Sequence, residues 1–121
     1  MKKILIVDDQ EEVIELVKIT LKSDNYILLD ARRGEEAVNI TMKEKPDLIL
    51  MDIIMPGIDG LEVTRRIKSN PETKDIVIIM LTAKGQKVDY KKGYEMGADG
   101  YIVKPFRHLE LISEVKEVLE Q

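Results

Sequence analysis

Five short apolar runs alternate along the chain with five longer stretches in which apolar residues recur every three or four positions. Residues 4–7 form an unbroken apolar run closed by Asp8 and Asp9, the pattern of a strand buried on both faces. Val13, Ile14, Leu16, Val17 and Leu21 then recur at helical spacing over 10–22, and Ser23, Asp24 and Asn25 signal a turn. A second strand is predicted over 26–29. A helix over 34–43 follows, with Ala37, Val38, Ile40 and Thr41 or Met42 inward, and then a third strand over 48–51. Leu61, Val63, Thr64 and Ile67 mark the third helix, closed by Asn70 and Pro71 because proline cannot continue it. The most apolar run, 76–81, predicts a central strand. A weaker helix over 86–96 ends at Gly97 as its cap, a short strand covers 101–103, and a last helix covers 109–119. Strand and helix alternate five times, which implies an α/β domain with a parallel sheet and helices on both faces. The alternation leaves the strand order open.

Composition narrows the function classes. The 121 residues suit one domain, 1–121, with a core of its own. No apolar run approaches the ~20 residues that cross a membrane, and the short run after Met1, Lys2 and Lys3 meets Asp8 too soon for a signal peptide. A cytoplasmic location is the expectation. There is no cysteine and one histidine, which argues against disulfides and a structural zinc site. A net charge of −4 argues against direct nucleic-acid binding by this segment.

The chemistry gathers at one edge. Ligands of open parallel sheets bind at the carboxyl ends of the strands. There the first strand delivers Asp8 and Asp9, the third Asp52, the fourth Thr82 and the fifth Lys104. Clustered carboxylates repel one another, and an all-oxygen set suits magnesium. A metal lets an anionic phosphate donor approach an anionic nucleophile, and a carboxylate can accept a phosphoryl group as an acyl phosphate. Lys104, Thr82 and backbone amides could neutralise its oxygens. Taken singly, each group has an ordinary use. Asp8 or Asp9 could cap the first helix, Thr82 could cap a turn, and Lys104 could be a solvated lysine. Asp59, three residues before Glu62, reads as the cap of the third helix. Gly57 and Gly60 read as backbone necessities of the loop after Asp52, Tyr101 could be a fixed half-buried aromatic, and lone His108 reads as exposed and inert. Most methionines read as core fillers, while Met55, on the loop, is expected to meet a partner.

Taken together, Asp8-Asp9, the loop from Asp52 to Gly60, Leu81-Thr82-Ala83, Gly97-Ala98-Asp99 and Lys104-Pro105-Phe106 resemble, in order and spacing, a bacterial two-component response-regulator receiver domain. The resemblance spans the whole chain. It implies a single doubly wound, flavodoxin-like domain with a five-stranded parallel sheet of order 2-1-3-4-5 and five helices. It also implies that Asp52 is the phosphoacceptor and that Asp8, Asp9, Asp52 and the backbone carbonyl of Ile54 hold Mg2+. Lys104 contacts the phosphoryl group across a cis peptide to Pro105, and the backbone of Ile53 and Ala83 contacts it too. Thr82 and Tyr101 are the switch pair. The implied partners are a sensor histidine kinase or histidine phosphotransfer protein as donor, and an output domain, downstream target or second copy as reader.

Ile54, two residues after the acceptor, cannot orient a water, so a long-lived aspartyl phosphate is expected; Lys84 stands two after Thr82. The segment between Lys84 and Gly97 carries Gly85 and Gly93 and few apolar anchors beyond Val88, Tyr94 and Met96, so it is the expected mobile element of a switch. The expected reading surface spans the fourth helix, fifth strand and fifth helix, with Lys87, Lys91, Lys92, Tyr101 and Glu110. The expectation is a regulatory module and not a turnover enzyme. An aspartate-nucleophile hydrolase lacks its cap here. A nucleotide- or flavin-binding domain lacks a glycine-rich loop after the first strand. The intact acidic set and Lys104 argue against a receiver that signals without phosphorylation.

Overall fold

The computed structural model describes residues 1–23, 25–83 and 89–120. Its elements in chain order are β1 (Lys2–Val7), α1 (Glu11–Leu21), β2 (Tyr26–Ala31), α2 (Gly34–Glu44), β3 (Leu48–Asp52), α3 (Gly60–Lys68), β4 (Val77–Ala83), α4 (Tyr90–Met96), β5 (Gly100–Lys104) and α5 (His108–Leu119). The strands form one parallel sheet of order β2-β1-β3-β4-β5, the flavodoxin-like arrangement. Asp24, Lys84, Gly85, Lys87 and Val88, and the start of the fourth helix expected at Gln86, lie outside the described residues.

The apolar runs form strands because helices cover both faces of the sheet, so neighbouring residues on a strand are both buried. One face carries Ile4, Ile6, Leu48, Leu50, Ile79, Leu81 and Ile102 and packs under Ile14, Val17 and Leu21 of α1 and Leu111, Val115 and Leu119 of α5. The other carries Leu5, Val7, Ile49, Met51, Ile78 and Met80 and packs under Ala37 of α2 and Val63 and Ile67 of α3. Each fully buried aliphatic side chain contributes ~1.5–3 kcal/mol. On α2, Ala37 and Thr41 are buried as expected, while Val38 and Ile40 are partly buried against the core.

Four strands run further at their carboxyl ends than the apolar pattern indicates, β2 by Asp30 and Ala31 and the other three at the candidate site. β3 includes Asp52, β4 includes Thr82 and Ala83, and β5 includes Lys104. The polar residues are therefore the last rungs of the ladders, and their spacing is set by strand register. Asp52 pairs with Leu81, Thr82 with Val103, and Ala83 with Lys104, while Val7, just before Asp8, pairs with Met51.

Two helix ends follow the sequence rules. The Asp59 side chain accepts from the Glu62 N–H at 2.9 Å and caps α3. Gly97, at φ +114°, takes the left-handed turn that closes α4. Met55 departs from expectation. It is buried within the core cluster on the α2–α3 face, while its neighbour Ile54 is exposed, at 63%.

Candidate functional site

Strand parity sorts the site. Asp52 and Lys104 continue the face of Leu50 and Ile102, towards α1 and α5, and Asp8 continues that of Ile6. Thr82 and Tyr101 continue the face of Met80, towards α2 and α3. Two strands therefore supply acceptor and counter-charge on one face, while the two switch candidates sit on the other.

On the first face, the ligand atoms of Asp8, Asp9 and Asp52 all lie within 4.8 Å of one another. Asp8 is fully buried, Asp52 almost so, and Asp9 is exposed. Asp8 accepts from the Gln10 N–H at 2.9 Å, so it steadies the start of α1, and from Lys104 Nζ at 3.0 Å. Lys104 Nζ also stands 3.7 Å from Asp52. The Lys104–Pro105 peptide is cis, as expected. Burial, and then the charge of Asp8, push the Asp52 carboxyl up to about 6; Lys104 and the Ile53 N–H pull the other way. A carboxylate raised in this manner is short of positive charge. The donors here are all hard carboxylate oxygens, the set that suits magnesium or calcium and not zinc or copper, so the residues present fit such an ion.

The loop after Asp52 is held from behind. The Gly60 N–H donates to the Ile53 carbonyl at 2.7 Å. A Cβ at Gly60 would stand 2.4 Å from the Asp52 carbonyl and 2.9 Å from Ile53 Cα. Gly57 has φ +79°, and the Glu35 carboxylate sits directly over it and accepts from the Ile58 N–H at 3.3 Å. The backbone N–H of Glu35 itself, and then that of Ile58, hold the Glu35 carboxyl below the usual carboxylate range. Glu35 was not legible as a loop clamp, since it lies on a different element.

Thr82 is buried, one rung beyond Leu81, the partner of Asp52. Ala83 is exposed beside a cleft of about 450 Å3 that Val13, Leu16, Lys104 and Phe106 also line. Tyr101 is half-buried. Its ring meets those of Tyr90 and Tyr94 edge-on at 4.6 and 5.2 Å, and its hydroxyl donates to the Tyr90 carbonyl at 3.4 Å. Burial, helped by Tyr94, raises its pKa. Of the expected reading surface, Lys91, Lys92 and Glu110 are exposed. His108 is exposed at the first turn of α5, its Nδ1 3.4 Å from Thr20 Oγ1, away from the carboxylates. Asp99, whose role the sequence left open, is a brace. Its carboxylate accepts from the Ile78 N–H at 2.8 Å and from Lys68 Nζ at 2.9 Å.

The sequence matches the response regulator receiver domain family over residues 4–116. It is 44% identical over 120 residues to the phosphate regulon transcriptional regulatory protein PhoB of Pseudomonas aeruginosa, covering 99% of this chain and 52% of that protein. It is likewise 44% identical over 119 residues to the transcriptional regulatory protein ResD of Bacillus subtilis, covering 98% and 48%. The chain thus spans about half the length of these curated relatives. The fold matches the chemotaxis protein CheY4 of Vibrio cholerae with a TM-score of 0.90 at 32% identity, over 98% of this chain and 99% of that one. Among the described residues, no helix is long and apolar enough to cross a membrane.

Proposed function

The chain belongs to the response regulator receiver domain family of two-component signalling, and from that premise we propose that residues 1–121 form one receiver that Asp52 switches by accepting a phosphoryl group. The observation that carries this reading is the set of three carboxylates within 4.8 Å, with the Lys104 ammonium against two of them. The donor is a phosphohistidine on a sensor histidine kinase or phosphotransfer protein. An Oδ of Asp52 attacks phosphorus, the P–N bond to the imidazole breaks with its electron pair, and an acyl phosphate P–O bond forms. The side chains of Asp8, Asp9 and Asp52 and the backbone carbonyl of Ile54 would hold Mg2+. When bound, the ion supplies the positive charge that lets the two anions meet.

Lys104 and the N–H groups of Ile53 and Ala83 neutralise the phosphoryl oxygens. The new group adds roughly one negative charge where a carboxylate stood. Thr82 then moves towards it, and Tyr101 follows on the same sheet face. The surface of α4, β5 and α5 changes for a downstream target, an output domain or a second copy. The reaction is a single self-assisted transfer followed by hydrolysis in the cytoplasm, so the module regulates and does not turn over a substrate. Exposed, apolar Ile54 cannot orient the attacking water, which supports a long-lived phosphate. A half-life of seconds with magnesium would contradict that.

The test is intact-mass measurement after incubation with acetyl phosphate, with and without Mg2+. The wild type is expected to gain one phosphoryl group only with Mg2+, and Asp52→Asn none. Equal uptake by both would remove Asp52 from the role.

A further inference from the structure

The cleft bordered by Ala83 and Lys104 opens on the sheet edge that carries Asp52. At about 450 Å3 it has the size of a small-molecule site. Val13 and Leu16, three residues apart on one face of α1, line it, and so does Phe106. Val13 and Phe106 also pack against the core, which holds these walls in place, while Leu16 stays 41% exposed. Its polar side chains are Gln10 and Lys104. Lys104 Nζ, 3.7 Å from Asp52, joins this apolar space to the acidic site. Phosphoryl transfer to Asp52 engages Lys104 and Ala83 and leaves Val13, Leu16 and Phe106 without a part. None of the described residues lining the cleft is an acid or a histidine, and Lys104 is held by Asp8 and Asp52. A leaving group there receives no proton and has to depart as a stable anion. A carboxylate does so; the alkoxide of a phosphate ester does not.

We propose that this cleft binds the apolar acyl group of a small acyl phosphate, a second class of phosphodonor for Asp52 beside phosphohistidine. The assignment as a donor site rests on the receiver reading above; the cleft and its walls do not. An Oδ of Asp52 attacks phosphorus, the P–O bond to the acyl group breaks with its electron pair, and the donor leaves as a carboxylate. One acyl phosphate is exchanged for another, so the step needs no proton and no further reactant. Lys104 meets the phosphoryl oxygens, Gln10 offers its carboxamide N–H to the departing carboxylate, and the acyl group replaces water against Val13, Leu16 and Phe106. A methyl group has little apolar surface to bury there and a phenyl ring has much, so benzoyl phosphate is the better donor than acetyl phosphate.

The test compares these two donors, whose leaving carboxylates differ little in basicity. The second-order rate of phosphoryl uptake with Mg2+ is read by intact mass for the wild type, Leu16→Gln and Leu16→Met. Both substitutions suit an exposed helix position, so the fold is retained. The wild type is expected to favour benzoyl phosphate fivefold or more. Leu16→Met, which keeps the apolar wall, should retain that preference, and Leu16→Gln should lose at least threefold of it. A second measurement needs no variant. Benzoylmethylphosphonate carries a methylene in place of the bridging oxygen and transfers nothing; with Mg2+ it should shift the Val13 and Leu16 methyl resonances of the wild type, and acetonylphosphonate should not. Uptake from acetyl phosphate with a preference below fivefold, a preference that Leu16→Gln leaves intact, or unmoved methyl resonances would overturn the proposal, leaving the receiver reading standing and the cleft to a segment of a partner protein. Uptake from neither donor would overturn the receiver reading and the donor assignment with it, while shifted methyl resonances would still show an aryl-binding cleft.

Discussion

Lys104 Nζ stands 3.0 Å from the carboxylate of Asp8, a side chain with no solvent exposure. Besides the Gln10 N–H, this ammonium is the positive partner of that carboxylate among the described residues. Removing it leaves a buried charge facing Asp52. Lys104→Met is expected to cost up to about 3–5 kcal/mol, and Asp8→Asn in the same background should restore most of the loss. Urea unfolding of the four proteins checks this; strictly additive effects would contradict it.

Asp52 shows the opposite sign. Burial and the charge of Asp8 raise its carboxyl to about 6, above its unfolded value. The folded state therefore holds the proton more tightly, and stability from this group falls as pH rises from about 4 to about 6. At about 1.4 kcal/mol per pH unit between the two values, ionised Asp52 costs on the order of 3 kcal/mol near neutrality. With a chelator present, Asp52→Asn should raise the melting temperature at pH 7.5 and not at pH 4. Magnesium at a hundred times its Kd should stabilise the wild type by ~2.7 kcal/mol and the variant less. A less stable Asn variant at pH 7.5 would contradict this account of the cluster.

Gly60 is tested by its closeness to backbone. A methyl group there meets the Asp52 carbonyl at 2.4 Å, which no rotamer change relieves. Gly60→Ala should destabilise by about 1–3 kcal/mol or more and shift the Asp52 and Ile53 amide resonances. An unchanged spectrum would show that the loop yields more easily than its packing implies.

Asp59 separates a structural carboxylate from the chemical ones. Asp59→Ala removes the cap on α3 and should cost about 1 kcal/mol. Phosphoryl uptake measured well below the melting temperature should stay within twofold of wild type. A large fall in uptake would give Asp59 a part in the chemistry.

The site was legible where it follows strand ends. Asp8, Asp52 and Lys104 each close an apolar run, and in-register parallel pairing brings such positions together whatever the loops do. Their sharing of one sheet face, opposite Thr82 and Tyr101, waits on where β3, β4 and β5 end, one or two residues past the apolar runs. Met55 was expected to meet a partner and is buried instead, because loop side chains carry no periodicity to say which is turned to the core. Glu35 over Gly57, Asp99 beneath Ile78 and Tyr101 over Gly93 are contacts between elements distant in sequence. Only the packed fold makes them visible. Gly93 reads along the chain as a weak point of a helix, and in three dimensions it is the space a tyrosine fills.

The most direct test of the central claim is to locate the acyl phosphate. Borohydride reduces an aspartyl phosphate to homoserine, which peptide mass mapping finds at a single position. After incubation with acetyl phosphate and Mg2+, homoserine is expected at position 52 alone, and nowhere when Mg2+ is chelated. Homoserine at position 8, 9 or 59, or a phosphorylated protein with no reducible aspartate, would contradict Asp52 as the phosphoacceptor.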